Sequence, residues 1–288
     1  IAGLLGENLT EPGASSAKSR EVPHLFVSAH RPASAGELAV RMAELLPEEA
    51  LAPPPMLRDL VGAGEICIFV CPIDDSAPKA RLIAPQVQAI RDLLDGNAVS
   101  IVVQPQELAA TFKLLTAPPK LVVTDSQAVA EAVRDTPPEV PLTTFSILMA
   151  RLKGDLPTLA AGAAAIHKLK DRDKVCVSEV CTHHAQPDDI GRVKIPALLK
   201  KFTGAKLNIQ FAAGRDFPAA LAEYALVIHC GGCMVNRPAM LSRMAESLAQ
   251  GAPVTNYGVA ISLMQNVLPR ALEVFPEALA AYRQAGGI

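Results

Sequence analysis

Two short segments concentrate the side chains of this sequence that can bind a metal. Residues 181–184 read Cys-Thr-His-His, and residues 229–233 read His-Cys-Gly-Gly-Cys. The Cys-x-x-Cys spacing of the second segment lets two thiolates face one metal centre, and the two glycines between them carry no side chains that would keep the backbone from curling around it. We therefore predict a metal centre held by Cys181, Cys230 and Cys233.

The ligand types alone leave two kinds of metal centre open. Zinc is satisfied by four tetrahedral ligands, so two or three thiolates with one or two imidazoles would make a closed structural site. An iron–sulfur cubane prefers thiolates, and three cysteines would hold three irons and leave the fourth iron for another ligand. His183 and His229 are the candidate fourth ligands, and a carboxylate or water is the alternative.

The other three cysteines lie in apolar stretches. Cys67, Cys71 and Cys176 are flanked by Ile, Val and Phe, and a free cysteine in such a run behaves as a small hydrophobic residue. Cys176 lies five residues before Cys181, and an odd separation along a strand points two side chains to opposite faces. We predict that all three are core residues and that Cys176 does not reach the metal.

Both metal-binding segments follow predicted buried strands, in a pattern of alternating strands and helices. That alternation is typical of parallel α/β sheets, in which ligand sites gather beyond the carboxyl ends of the strands. The prediction is an α/β protein with two consecutive parallel-sheet domains, preceded by a short β-α remnant. Strands are predicted at 25–29, 66–71, 99–103, 121–123, 175–180, 207–211, 225–228 and 254–257. Helices are predicted at 35–46, 79–95, 106–115, 126–134, 155–169, 192–202 and 237–249, with one closing helix. The segment 151–155 is predicted to join the two domains, and Asp188 and Asp189 to cap the helix that follows them.

Composition narrows the classes of function. The chain has 288 residues, half of them hydrophobic, and 27 basic against 29 acidic residues, a net charge of -2. Nothing in this balance favours a nucleic acid or an anionic membrane as partner. No apolar run approaches the roughly 20 residues that cross a bilayer, and no targeting peptide is visible. Six cysteines are too few for a disulfide scaffold, so we expect a soluble protein in a reducing, intracellular compartment.

The cysteine and histidine pattern resembles the signature of the HydF family of FeFe-hydrogenase maturation scaffolds. The resemblance covers about residue 48 to the C-terminus and extends to six further segments. These are Ala77-Pro78-Lys79, Val123-Thr124-Asp125-Ser126, Phe145-Ser146-Ile147, Asp188-Asp189-Ile190-Gly191-Arg192, Gly214-Arg215-Asp216-Phe217-Pro218 and Thr255-Asn256-Tyr257-Gly258.

The resemblance implies a protein that carries a 4Fe-4S cluster and delivers a diiron precursor to immature hydrogenase. It implies the cluster ligands Cys181, Cys230 and Cys233, with the cargo itself as a further alternative for the fourth position beside His183 and His229. It also implies a homodimer that works with the hydrogenase apoprotein and with radical maturation enzymes, in the cytoplasm or, in an alga, in the plastid stroma.

The domains implied are a GTPase-end remnant with a linker at 1–52, a dimerisation domain at 53–148 and a cluster-binding domain at 149–288. Residues 27–29 and 36–38 are similar to the end of the family's GTPase domain. However, this sequence contains no Gly-x-x-x-x-Gly-Lys-Ser/Thr loop to hold nucleotide phosphates and no Asn-Lys-x-Asp guanine-reading motif. The first expectation is therefore a non-enzymatic scaffold. The alternatives are a maturation factor gated by GTP hydrolysis, if the full protein has the missing domain, and a zinc-stabilised interaction module.

Overall fold

The computed structural model describes residues 25, 27–28, 30–31, 33–45, 54–73, 82–180, 189–214 and 217–288. It divides into two compact units, Ile1–Pro54 and Pro55–Ile288. In the first unit, helix α1 (Ala33–Leu45) confirms the predicted helix. Residues 25, 27 and 28 form no strand, so the strand predicted at 25–29 is absent at these positions. A strand needs a hydrogen-bonded neighbour, and the described part of this unit supplies none.

The second unit begins with a four-stranded parallel sheet in the order β2-β1-β3-β4. Its strands β1 and β3 are almost wholly buried, which explains their continuous apolar runs, because helices cover both faces of a parallel sheet. The strands are β1 (Ile66–Val70), β2 (Val99–Val103), β3 (Leu121–Thr124) and β4 (Leu142–Thr144). The helices are α2 (Ala84–Asp95), α3 (Leu108–Leu114), α4 (Val129–Asp135) and α5 (Phe145–Lys153), with a 3-10 turn at Pro105–Glu107.

A second four-stranded parallel sheet follows in the order β6-β5-β7-β8. The strands are β5 (Lys174–Glu179), β6 (Asn208–Ala213), β7 (Leu226–His229) and β8 (Val254–Asn256). The helices are α6 (Leu156–Ala163), α7 (Ile195–Thr203), α8 (Arg237–Ala249), α9 (Tyr257–Met264), α10 (Leu268–Leu272) and α11 (Pro276–Gln284). A π-helix lies at Ile190–Lys194, and 3-10 turns lie at Ala164–Lys168 and Leu221–Glu223.

The two sheets have the same topology, with the first strand of each in an inner position and the second at the edge beside it. One continuous hydrophobic core runs through both and includes Phe69 and Phe145 from the first half and Val177 and Leu226 from the second. A smaller cluster of buried apolar residues, among them Ile68, Leu108 and Leu142, packs on the opposite face of the first sheet. The prediction of two parallel α/β domains is confirmed.

The connection between the two halves lies within the predicted joint at 151–155 and is shorter than that segment. α5 continues to Lys153, and Gly154 and Asp155 separate it from α6. Thr144 starts α5 by accepting a hydrogen bond from the Ile147 amide at 3.1 Å, and Asp155 caps α6 in the same way. The predicted division between residues 148 and 149 therefore falls inside a helix. The single closing helix is in fact three, α9 to α11.

Close packing of α6 on β8 depends on Gly162. A Cβ atom added at this position would lie 1.9 Å from the Val254 carbonyl oxygen, a backbone atom that cannot move without shifting the strand. We expect Gly162→Ala to lower the free energy of unfolding by about 3 kcal/mol. Urea denaturation measures this change.

The control is Gly36→Ala in α1, where the added Cβ meets no atom within 4 Å. This substitution should leave the urea midpoint of the Pro55–Ile288 unit unchanged. Equal midpoints for Gly162→Ala and the unsubstituted chain would mean that α6 and β8 can separate at little cost.

The longest described helices, α1 and α8, have 13 residues each, and none of the described helices qualifies as a membrane span.

Candidate metal centre

The second cysteine segment lies at the carboxyl edge of the second sheet, where the strand order reverses. β6 pairs with one side of β5 and β7 with the other, which is the strand arrangement at which parallel α/β sheets form a ligand crevice. Cys230 follows β7 directly, and the chain leaves β5 at Val180. The predicted position beyond the strand ends is thus confirmed for this segment, except that His229 belongs to β7 itself.

Backbone hydrogen bonds fix Cys230 against the end of β5. Its amide donates to the Ser178 carbonyl at 2.8 Å, which continues the ladder of the sheet by one residue. Its Sγ accepts a hydrogen bond from the Val180 amide at 3.3 Å. Cys181, the residue after Val180, lies outside the described residues, as do His183 and His184.

The loop after Cys230 turns sharply at Gly232. This glycine has φ of +63°, and a Cβ there would meet the Met240 Sδ at 2.6 Å, so both the conformation and the space require glycine. The Val235 amide closes the turn on the Gly232 carbonyl at 3.1 Å. Cys233 is exposed on this turn, whereas Cys230 is half-buried. The loop therefore presents two thiols without intervening side chains.

His229 is the described candidate for a fourth ligand, and both of its ring nitrogens are engaged. The ring is 1% exposed. Nε2 lies 3.2 Å from the Arg243 guanidinium, which can only donate, so the proton resides on Nδ1, which donates to the Cys230 carbonyl at 2.9 Å. Burial, aided by the positive charge of Arg243, lowers the pKa of His229 to about 4. The imidazole is neutral and holds the cysteine loop through its backbone.

Arg243 on α8 is a residue of the site that the sequence did not reveal. Its guanidinium also donates to the Gly214 carbonyl and lies 5.0 Å from the centre of the Phe217 ring. It thereby joins the end of β6, His229 and the cysteine loop. An arginine in the middle of an amphipathic helix carries no spacing signal that would mark it in advance.

A buried carboxylate lies below the crevice. Glu179, the last residue of β5, is 6% exposed, and its carboxylate accepts a 3.5 Å hydrogen bond from the Tyr257 hydroxyl and lies 3.9 Å from Arg192 Nε. Burial and the neighbouring carboxylate raise the pKa of Tyr257. A Cβ on Gly191 would lie 2.2 Å from the Tyr257 hydroxyl, so only glycine fits there. Asp189 caps the π-helix at Ile190–Lys194, as predicted, because its side chain accepts a hydrogen bond from the Arg192 amide at 2.8 Å. Asp188 lies outside the described residues.

The remaining cysteines are buried in the sheets, as predicted. Cys67, Cys71 and Cys176 are at most 2% exposed. Burial raises the pKa of Cys176 to about 11, and burial together with the Asp125 charge raises that of Cys71 to about 12. These thiols remain protonated near neutral pH and are poor metal ligands.

The described residues contain no group of three or more His, Cys, Asp and Glu side chains in a metal-binding arrangement, and one of the three predicted cysteines, Cys181, is not among them. Of the three predicted ligands, the two that are described, Cys230 and Cys233, fit thiolate ligands of an iron–sulfur cluster. Cys230 accepts a hydrogen bond from a backbone N–H at its sulfur, Cys233 follows after a glycine turn, and both lie beyond the carboxyl end of β7. Hydrogen bonds from backbone amides to ligand sulfurs are a recognised feature of iron–sulfur sites.

Comparisons with known proteins agree with this architecture. The family model described as the hydrogen maturase F dimerization domain matches residues 56–154. The model described as the hydrogen maturase F tetramerization domain matches residues 157–274. A comparison with curated proteins gives no match. The two models follow one another along the chain, meet between α5 and α6 and together account for most of its length, so the chain belongs to the HydF family of hydrogenase maturation proteins.

Proposed function

We propose that this chain is a scaffold that binds a 4Fe-4S cluster through Cys181, Cys230 and Cys233 and delivers a diiron precursor to immature FeFe-hydrogenase. Its partners are then the hydrogenase apoprotein and the radical maturation enzymes that supply the precursor. When bound, the cluster supplies an iron to which the cargo can attach. The protein's own contribution is to hold the thiolates, exclude competing ligands and release the cargo to the apoprotein.

The contact between Val180 and Cys230 is the observation that carries the proposal. The Val180 amide donates to the Cys230 Sγ at 3.3 Å, and Cys181 follows Val180 in the chain. A trans peptide separates neighbouring Cα atoms by about 3.8 Å. Cys181 is therefore joined directly to the residue whose amide contacts the Cys230 sulfur.

The engagement of His229 supports an exchangeable fourth position. A metal bond to Nε2 would displace the Arg243 guanidinium, and a bond to Nδ1 would displace the Cys230 carbonyl. We assign His229 a positioning role, which leaves the fourth iron to His183, a carboxylate, water or the cargo. A weak ligand suits a carrier, because it leaves an iron more readily than a thiolate does.

A transfer assay tests the proposed function. The chain is reconstituted anaerobically with iron and sulfide, loaded with diiron precursor, freed of unbound iron and mixed with hydrogenase apoprotein. We expect hydrogen production to appear only with loaded protein. Apoprotein that stays inactive, although cluster and cargo are both present on the carrier, would contradict a delivery role.

We also expect this chain, as given, neither to bind nor to hydrolyse GTP. No loop in its sequence can cradle a β-phosphate or coordinate magnesium through a Ser/Thr hydroxyl. Calorimetric titration with GTP and magnesium should show no heat beyond dilution. A site of micromolar affinity would favour the alternative of a GTP-gated maturation factor.

A further inference from the structure

The two halves of the Pro55–Ile288 unit repeat one another residue by residue at the strand ends. Val123 and Thr124 pair with Thr143 and Thr144 in the first sheet, and Ile228 and His229 pair with Thr255 and Asn256 in the second. The Asp125 amide donates to the carbonyl of Val70, the last residue of β1, and the Cys230 amide donates to that of Ser178 at the matching position of β5. Asp125 therefore stands in the first half where Cys230 stands in the second.

Matching residues of the two halves also touch. Thr144 and Asn256 each cap the helix that follows, through the Ile147 and Val259 amides at 3.1 and 2.9 Å. The second residues of these two helices are Ser146 and Gly258, and a Cβ on Gly258 would lie 1.9 Å from the Ser146 Cβ. Contact between equivalent positions is what a local two-fold relation produces, so the carboxyl edges of both sheets point toward a shared space.

That space is a cavity of about 470 Å³. The segments that follow β1, β3 and β4 line it from the first half, and those that follow β5, β7 and β8 line it from the second. Gly231 and Cys233 belong to the lining, so the cavity reaches one of the proposed cluster ligands. Its volume lies in the range of small-molecule sites.

The walls of the cavity differ in chemistry. Phe145, Met149 and Ile261 make it largely apolar, while the first half adds a polar strip of Asp125, Ser126 and Ser146. The hydroxyls of Ser126 and Ser146 are 2.8 Å apart, and this bond uses one of their two hydrogens. Asp125 accepts from Gln86 Nε2 at 2.6 Å. A fitting ligand is compact, mostly uncharged on its surface and able to accept a hydrogen bond.

We propose that this cavity is the cargo chamber and that the dimerization domain, through Ser126 and Ser146, forms its polar wall. The inference rests on the proposed carrier function and names the site where the diiron unit lies. One side of the unit faces the cysteine loop. The other side accepts a hydrogen bond from the serine pair, while the apolar walls keep water away.

The test uses a synthetic diiron dithiolate carbonyl complex as probe, because its carbonyl stretching bands report binding by infrared spectroscopy. Cluster content is measured separately from iron, sulfide and visible absorption. Ile190→Trp fills the rim of the cavity from a side chain that is already 37% exposed. Val193→Trp, on the same π-helix and outside the lining, is its matched control, with a side chain 46% exposed. A double Ser126→Ala and Ser146→Ala variant removes the polar wall, with Ser262→Ala as its control.

We expect Ile190→Trp and the double serine variant to keep their cluster but to bind at least about fivefold less complex, with both controls like the unsubstituted chain. If Ile190→Trp binds as much of the diiron complex as the unsubstituted chain does, the cavity is not the cargo site. The proposed carrier function would still stand. If Ile190→Trp loses the cluster together with the complex, the cavity is part of the cluster site and not a separate cargo site. That result would also overturn the inference. An unsubstituted chain that holds its cluster yet binds no complex would end the proposed function itself.

Discussion

Replacing Cys230 by alanine is expected to reduce the iron held after anaerobic reconstitution from about four atoms per chain to less than about one. The substitution removes the thiol that the Val180 amide holds in the crevice, and two remaining thiolates cannot retain a cubane through purification. Cys181→Ala and Cys233→Ala should behave alike. Iron and sulfide analysis and the paramagnetic spectrum of the reduced protein measure the loss.

Cys176→Ala is the matched control, because this cysteine is fully buried within β5 and should leave the iron content unchanged. His229→Ala should retain the iron and alter only the spectrum, since the imidazole bonds to the Cys230 carbonyl and to Arg243. If His183→Ala and His229→Ala both lost iron as completely as the cysteine variants, the exchangeable fourth position would be wrong, and a closed site, including a zinc site, would be favoured.

Val102→Lys should dissociate the homodimer indicated by the dimerization domain. β2 is an outer strand of the first sheet in the described part of the chain, and its Val99 and Val102 are each 45% exposed. Val87 and Leu94 of helix α2 are more than half exposed. An apolar edge strand of this kind pairs readily with another strand. A second copy would cover this surface.

A lysine at position 102 stays solvated in the monomer but would lose its hydration in the dimer. We therefore expect the dissociation constant of the dimer to rise by at least about tenfold, measured by analytical ultracentrifugation or light scattering over a range of concentrations. Leu248→Lys on α8, outside the dimerization domain, is the control. A dimer as tight as that of the unsubstituted chain would show that β2 is not the interface.

Seven of the eight strands of the two sheets were predicted, most of them as short apolar runs bounded by polar or glycine-rich turns. The eighth, β4, was missed because its three residues, Leu-Thr-Thr, form no apolar run. β1 reads Ile-Cys-Ile-Phe-Val and is buried almost throughout, as strands covered on both faces must be. Helix α5 was missed because it begins directly after β4. Its start depends on the Thr144 side chain, and a β-branched residue at a strand end does not distinguish a continuing strand from a helix cap.

The position of the cysteine loop at a strand end was predictable from the sequence, but its surroundings were not. The Cys-x-x-Cys spacing drew attention to Cys230 and Cys233, which follow the end of β7. Arg243 and Glu179 gave no such signal, because a single charged residue on a helix or strand usually faces solvent. Only the fold brings them into contact with His229 and Tyr257. Segments 123–126, 145–147 and 255–258, noted only for their resemblance to the family, contribute the walls of the cavity.

The central claim is that the three cysteines hold an iron–sulfur cluster, and anaerobic reconstitution of the whole chain tests it most directly. The account predicts a brown protein with a broad thiolate-to-iron absorption band and about four iron and four sulfide per chain. A colourless protein that takes up one zinc per chain and retains no sulfide would contradict it and would identify a zinc-stabilised interaction module instead.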